Sequence, residues 1–112
     1  MEFINKITLQ GYVGSIKVET VDVHKFAQLT IITNYCYRSV DGSSVLETQW
    51  TQVKAFEKPY TNNTPLEDIQ KNDIVRVEGR LRTVRYTKEN GDNVSVPEVI
   101  ASSLVKIERE DK

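Results

Sequence analysis

The chain has 112 residues, a formal net charge of −1, 38% hydrophobic and 28% charged residues. That is one domain's worth of sequence, ordinary in apolar content, with no apolar run near the roughly 20 residues that span a bilayer. The single cysteine, Cys36, excludes an internal disulfide. The start Met1-Glu2-Phe3-Ile4-Asn5-Lys6 lacks the basic and apolar blocks of a signal peptide, so a reducing cytoplasmic setting, off the membrane, is expected.

In chain order, residues 3–14 alternate as a strand, with Ile7, Leu9 and Val13 on one side and Lys6, Thr8, Gln10 and Tyr12 on the other. Gly11 and Gly14 allow that strand to bend sharply. A second strand, over 25–35, groups Ala27, Leu29 and Ile31 on an inner face, and Asp41-Gly42 marks a turn in the loop that follows. A third strand, from Glu47 to Phe56, places Thr48, Trp50, Gln52, Lys54 and Phe56 together, opposite Gln49, Thr51, Val53 and Ala55.

Alternation breaks over 57–73. Thr64-Pro65-Leu66-Glu67 has a cap and a first-turn proline, which predict a short helix ending near Gln70. A fourth strand, from Ile74 to Tyr86, turns Val75, Val77 and Leu81 inward. Asn90-Gly91 is a hairpin tip, and a fifth strand runs from Val94 to Ile107. Pro97 cannot donate to a ladder, which puts its end of that strand at an edge or bulge. The reading is one domain over 1–108 with a charged end at 109–112. The fold class is all-β: a five-stranded OB-fold Greek-key barrel with one short helix between strands 3 and 4.

The aromatic side of the third strand makes a poor core face. Two large rings with an amide and an ammonium between them are suited to stacking flat bases while a cation meets phosphate. The fourth strand adds Arg76, Glu78, Arg80 and Arg82 on one side, reaching Tyr86 with Arg85 and Lys88 nearby. Taken alone such a run reads as a solvated face; the three arginines ending in an aromatic favour phosphate contact, with Glu78 counting against an all-basic groove. Tyr37-Arg38 pairs a ring with a cation where the second strand enters its loop. Tyr12 and Tyr60 read as structural. Acids gather at Glu67, Asp68 and Asp73 and again over 108–112, so a near-zero total charge is compatible with a local basic path.

Catalysis finds no support. His24 is the only histidine, Cys36 has no base nearby in sequence, and neither a zinc cluster nor a glycine-rich phosphate loop occurs, so no cofactor and no metal are expected. The chain reads as a binding protein.

From Asn5 to about Ile107 the sequence resembles the bacterial single-stranded DNA-binding protein family. The resemblance is carried by Asn5-Lys6-Ile7-Thr8-Leu9-Gln10-Gly11-Tyr12-Val13-Gly14, by Glu47-Thr48-Gln49-Trp50 and by Val77-Glu78-Gly79-Arg80-Leu81-Arg82-Thr83. It implies base stacking at Tyr37, Trp50, Phe56 and Tyr86, and a homotetramer around which the strand wraps, with a dimer as the smaller option. Phosphate contacts are expected from Lys6, Arg38, Lys54, Arg76, Arg80, Arg82 and Arg85. The departures are Ser15-Ile16-Lys17-Val18-Glu19 after the second glycine, Thr51 after the tryptophan and Glu57 after the phenylalanine. The family's acidic, partner-recruiting tail has no counterpart before Lys112. Were that the natural terminus, a mobile-element-borne or primosome-accessory-like relative would be expected. The expected partners are single-stranded DNA and, beyond it, replication or conjugation proteins. The alternative is an OB module that docks such proteins and binds nucleic acid weakly, and stacking by itself leaves DNA and RNA equally open.

Overall fold

A computed structural model describes residues 1–57 and 63–107. Five strands, β1 (Ile7–Val21), β2 (His24–Arg38), β3 (Ser44–Phe56), β4 (Ile74–Thr87) and β5 (Asn93–Ile107), close into a barrel in the order β1-β2-β3-β5-β4. All neighbours are antiparallel except β3 and β5, and β1 pairs with both β2 and β4 to complete the ring. This is the expected OB architecture, with longer strands: β1 continues through the departing segment to Val21.

Inward residues follow the pleat. Val13, Ala27, Leu29, Ile31, Val53, Ala55, Val75, Val77, Val99, Ala101 and Leu104 are buried, with Ile7, Leu9 and Ile16 packed against them. Across one end of the barrel the register aligns Ala27, Ala55, Ala101 and Gly79 on adjacent strands. That row of small residues leaves room for Leu66 and Leu104, which meet Ala55 and Ala101 around a small cavity. Burying a leucine contributes about 1.5–3 kcal/mol, so Leu66 anchors the connection over the barrel end.

That connection corrects one expectation. In place of a helix reaching Gln70, a single 3₁₀ turn spans Leu66–Asp68. Thr64 does not cap it: its Oγ1 accepts the Lys106 N–H at 2.8 Å, tying the connection to β5. Two such anchors, Leu66 and Thr64, hold the segment without helical length. The charged end at 109–112 and Tyr60 lie outside the described residues.

Two bulges reset the pleat. Gly14 is the extra residue between the pairs Val13–Ile31 and Ser15–Thr30. Ser102 is the extra residue where Glu78 pairs with Ser103 and Gly79 with Ala101, and its hydroxyl donates to the Glu78 carbonyl at 3.0 Å. Beyond that point β4 parts from β1 and pairs with β5 alone, while β5 stays on β3 as far as Glu98; past Glu98 the two strands run on as a free hairpin. Leu81 therefore differs from expectation. It keeps the inner orientation, opposite buried Val99, but lies past the rim and is 45% exposed. Pro97 pairs with Thr83 just before β5 joins β3 at Glu98, a free-edge position as expected.

Candidate nucleic-acid interface

Residues opposite one another across a ladder share a face. The register lines up Lys17, Gln28, Lys54, Ile100 and Arg80 in one row across all five strands. Neighbouring strands are about 4.8 Å apart, so the row spans about 19 Å. It holds three cations. The next row is Ser15, Thr30, Gln52, Glu98 and Arg82. Above it, Trp50 stands opposite Ile32, and its ring leans towards β1: Cζ3 lies 3.2 Å from the point a Cβ on Gly14 would occupy. Gly14 thus serves the site twice, by bulging β1 and by leaving room for the ring.

The four rings expected to stack are available to solvent: Trp50 is 61%, Tyr86 51%, Phe56 43% and Tyr37 38% exposed. Trp50 and Phe56 share the outer face of β3, about 20 Å apart over six residues. Tyr86 shares a face with Arg80 and Arg82 along the β4–β5 hairpin. Tyr37 has the opposite phase. It pairs with Val45, its ring lies 6.0 Å from that of Tyr35, and its hydroxyl donates to Glu47 at 3.3 Å. Tyr35 and Tyr37 form a separate aromatic pair on the other side of the β2–β3 ribbon. Tyr12 is also exposed.

The cations divide. Asn5 pairs its side-chain amide with both the N–H and C=O of Leu81, at 2.9 and 2.7 Å, in the manner of one more strand residue. This places Lys6 beside Arg80, in a groove that Glu78 and Ile100 also line. Arg82 is engaged by Glu98 at 3.0 Å. Arg76 lies before the bulge, where its Nε donates to Gln10 at 3.2 Å, and the register brings it into neither row. Arg38 ends β2 opposite Ser44, and Arg85 points with Leu81 and Thr83, away from Arg80. Lys54 is held over two rings, 4.8 Å from the Phe26 centroid and 5.4 Å from that of Phe56.

Two residues of this face escaped the sequence reading. Lys17 enters the five-strand row only because the Gly14 bulge shifts β1 by one residue; its ammonium meets Glu19 at 3.0 Å on a well-exposed surface, where such a pair contributes little. Phe26 carried a signal: it has the opposite phase to Ala27, Leu29 and Ile31, so it had to face out.

At the tip of the β2–β3 hairpin, Asp41 accepts hydrogen bonds from the Ser39 and Ser43 hydroxyls and from the Ser43 N–H. The Ser39 hydroxyl, then that of Ser43, hold its carboxyl down to about 2. A depressed carboxylate favours the ordered tip above the ordinary aspartate range and loses that contribution as pH falls through about 2. A titration followed by carboxyl NMR is therefore expected to show Asp41 with a midpoint at about 2. A midpoint near 4 would mean that the serine cage does not persist in solution.

Among the described residues no group of three or more His, Cys, Asp or Glu is placed to hold a metal ion, and no helix is long and apolar enough to cross a membrane. A barrel face with exposed rings and a cross-strand row of cations has the chemistry to stack flat rings and to meet anions. The family model described as the single-strand binding protein family matches residues 4–107. The chain belongs to that family. A curated relative, the mitochondrial single-stranded DNA-binding protein of Drosophila melanogaster, is 24% identical over 103 residues, 91% of this chain and 70% of the relative. Among solved structures, the Plasmodium falciparum SSB in complex with single-stranded DNA is similar with TM-score 0.83 and 22% identity, over 96% of this chain and 98% of that one. The small single-stranded DNA-binding protein of Streptomyces coelicolor is similar with TM-score 0.69 and 18% identity, over 96% of both chains. The single-strand binding family barrel is thus shared at low identity.

Proposed function

We propose that the protein binds single-stranded DNA without sequence preference, stacking bases on Trp50, Phe56, Tyr37 and Tyr86 and meeting phosphates with lysine and arginine. The observation that carries this reading is the five-strand row Lys17–Gln28–Lys54–Ile100–Arg80 beside the exposed Trp50 ring. Bases present a π-face whatever their identity, so stacking is tolerant of sequence, while the cations add a part that weakens with salt. Lys6, Lys54 and Arg80 are the phosphate contacts best supported by position. Arg82 contributes through its pair with Glu98, and Arg38, Arg76 and Arg85 serve the strand where it leaves this face. The family points to work in replication, repair, recombination or mobile-element transfer, in the cytoplasm, as a homotetramer, with replication or conjugation proteins as further partners. The protein acts by binding and catalyses no reaction.

The near-neutral charge, Glu78 and Glu57 are what favour a protein-docking module instead, and of these Glu57 is engaged within the chain. Its Oε2 accepts the Leu66 N–H at 3.3 Å, so the carboxylate is turned to its own chain. This supports the DNA reading. The test is a titration of Trp50 fluorescence with oligo-dT at low and then high salt; Trp50 is the sole tryptophan. Strong quenching that fades as salt rises is the expected result. No quenching at low salt would move the function to protein partners.

A further inference from the structure

Beyond Trp50 the outer face ends in a groove of which the proposed site uses Phe56 alone. Phe26 of β2 stands directly opposite Phe56 of β3, with ring centroids 6.1 Å apart and planes tilted by 44°. The two rings form one side of the groove, which Val21, Val23, His24, Lys25 and Glu57 complete. Val21 and Val23 are exposed.

The charges around the groove decide what fits it. Three acids around the groove are engaged: Glu19, opposite Phe26, by Lys17 at 3.0 Å; Glu67 by Lys25 at 2.9 Å; Glu57 by the Leu66 N–H. A fourth, Asp22, lies in the β1–β2 turn between Val21 and Val23. The Lys25–Glu67 contact raises the lysine and lowers the glutamate from their ordinary values, so both stay charged and paired at neutral pH. Among the described residues Lys54 has no acidic partner, and its ammonium sits over both rings. An apolar, ring-sided groove overhung by one available cation fits a flat ring that carries an anion. It is also continuous, through Phe56 and Lys54, with the face already assigned to the strand.

We infer that Phe26 is a further stacking residue, and that the groove between Phe26, Phe56 and Val23 receives one more nucleobase of the same single strand, its phosphate drawing on Lys54. This rests on the single-stranded DNA reading. It extends the path past Phe56 towards the β1–β2 turn, so short oligonucleotides that reach only Trp50 leave the groove empty.

Two variants test it. Trp50→Phe combined with Phe26→Trp moves the sole tryptophan into the groove, and oligo-dT is expected to quench that reporter as it quenches Trp50 in the wild type. Phe26→Leu is expected to weaken long oligo-dT about tenfold, within the range for one lost stacking contact, and to leave short oligomers unaffected. A silent reporter at position 26 with unchanged affinity of Phe26→Leu, while wild-type Trp50 is quenched, overturns the inference and leaves the proposed function standing. An apolar peptide that quenches the position-26 reporter where oligo-dT does not would assign the groove to a protein partner and overturn it equally. Wild-type Trp50 unquenched by oligo-dT removes the function, and the inference with it.

Discussion

Replacing Trp50 by alanine is expected to weaken binding to oligo-dT, oligo-dC and oligo-dA alike, by about 5- to 150-fold, the equivalent of the 1–3 kcal/mol that one stacked base contributes. The ring is 61% exposed, beside its cross-strand partner Ile32 and over Gly14, so the barrel loses little when it goes. Thermal unfolding should therefore move by no more than a few degrees. Trp50→Phe keeps a smaller ring and is expected to fall between the two. The salt response separates rings from cations. Deleting the ring removes no phosphate contact and should leave the slope of log K against log salt unchanged, whereas Lys54→Ala or Arg80→Ala should lower it by about 1 each. An affinity unchanged in Trp50→Ala would mean that the strand runs elsewhere on the barrel.

Gly14→Val is the indirect version of the same perturbation. A Cβ there would lie 2.8 Å from Ile32 Cδ1 and 3.2 Å from Trp50 Cζ3. Both are side-chain atoms, so the protein can accommodate the methyls by turning the isoleucine and tipping the indole. The expected result is a folded protein with altered Trp50 emission and weakened oligo-dT binding. That combination would show that the glycine positions the ring.

The alternation that made the strands legible also limits what alternation can say. Period two identifies Val75 and Val77 as inward, and Trp50, Lys54 and Phe56 as outward, because nothing interrupts the pleat between them. Leu81 has the right phase and the wrong place: facing inward buries a residue only where a barrel lies beneath it, and β4 has already passed the rim. Lys17 could not be placed because one bulge residue, Gly14, exchanges the faces of everything after it. Arg76 and Arg80 look equivalent in sequence, four residues apart, yet the Ser102 bulge and the end of the β1 pairing at Gly79 divide them. Pairing partners, which no single sequence displays, decide such cases. Phe26 was different: its phase was readable, and what escaped was that an outward phenylalanine opposite Phe56 makes a surface instead of an accident.

The change with the largest expected effect on stability is Gly79→Ala. A Cβ at Gly79 would lie 2.1 Å from the Ile100 carbonyl oxygen and 2.8 Å from its carbon, both backbone atoms of the neighbouring strand. No rotamer relieves such a contact, so β4 and β5 must move apart at the bulge. Overpacking typically costs 1–3 kcal/mol, and a clash with backbone belongs at or above the top of that range, about 3 kcal/mol. Small domains hold about 5–15 kcal/mol in total, so this one methyl group consumes a large part of the margin. The damage has a functional direction as well, because β4 parts from β1 at this point and carries Arg80, Arg82 and Tyr86 onward paired with β5 alone. Urea unfolding should show a midpoint lowered well beyond that of Trp50→Ala. Oligo-dT binding measured far below the unfolding midpoint should also weaken, since a re-aimed hairpin takes Arg80 out of line with Lys54. A Gly79→Ala protein with wild-type stability would mean that the strands have slack at the bulge that the 2.1 Å approach does not show. Wild-type stability together with weakened binding would separate the two roles, and assign to Gly79 the aim of the hairpin alone.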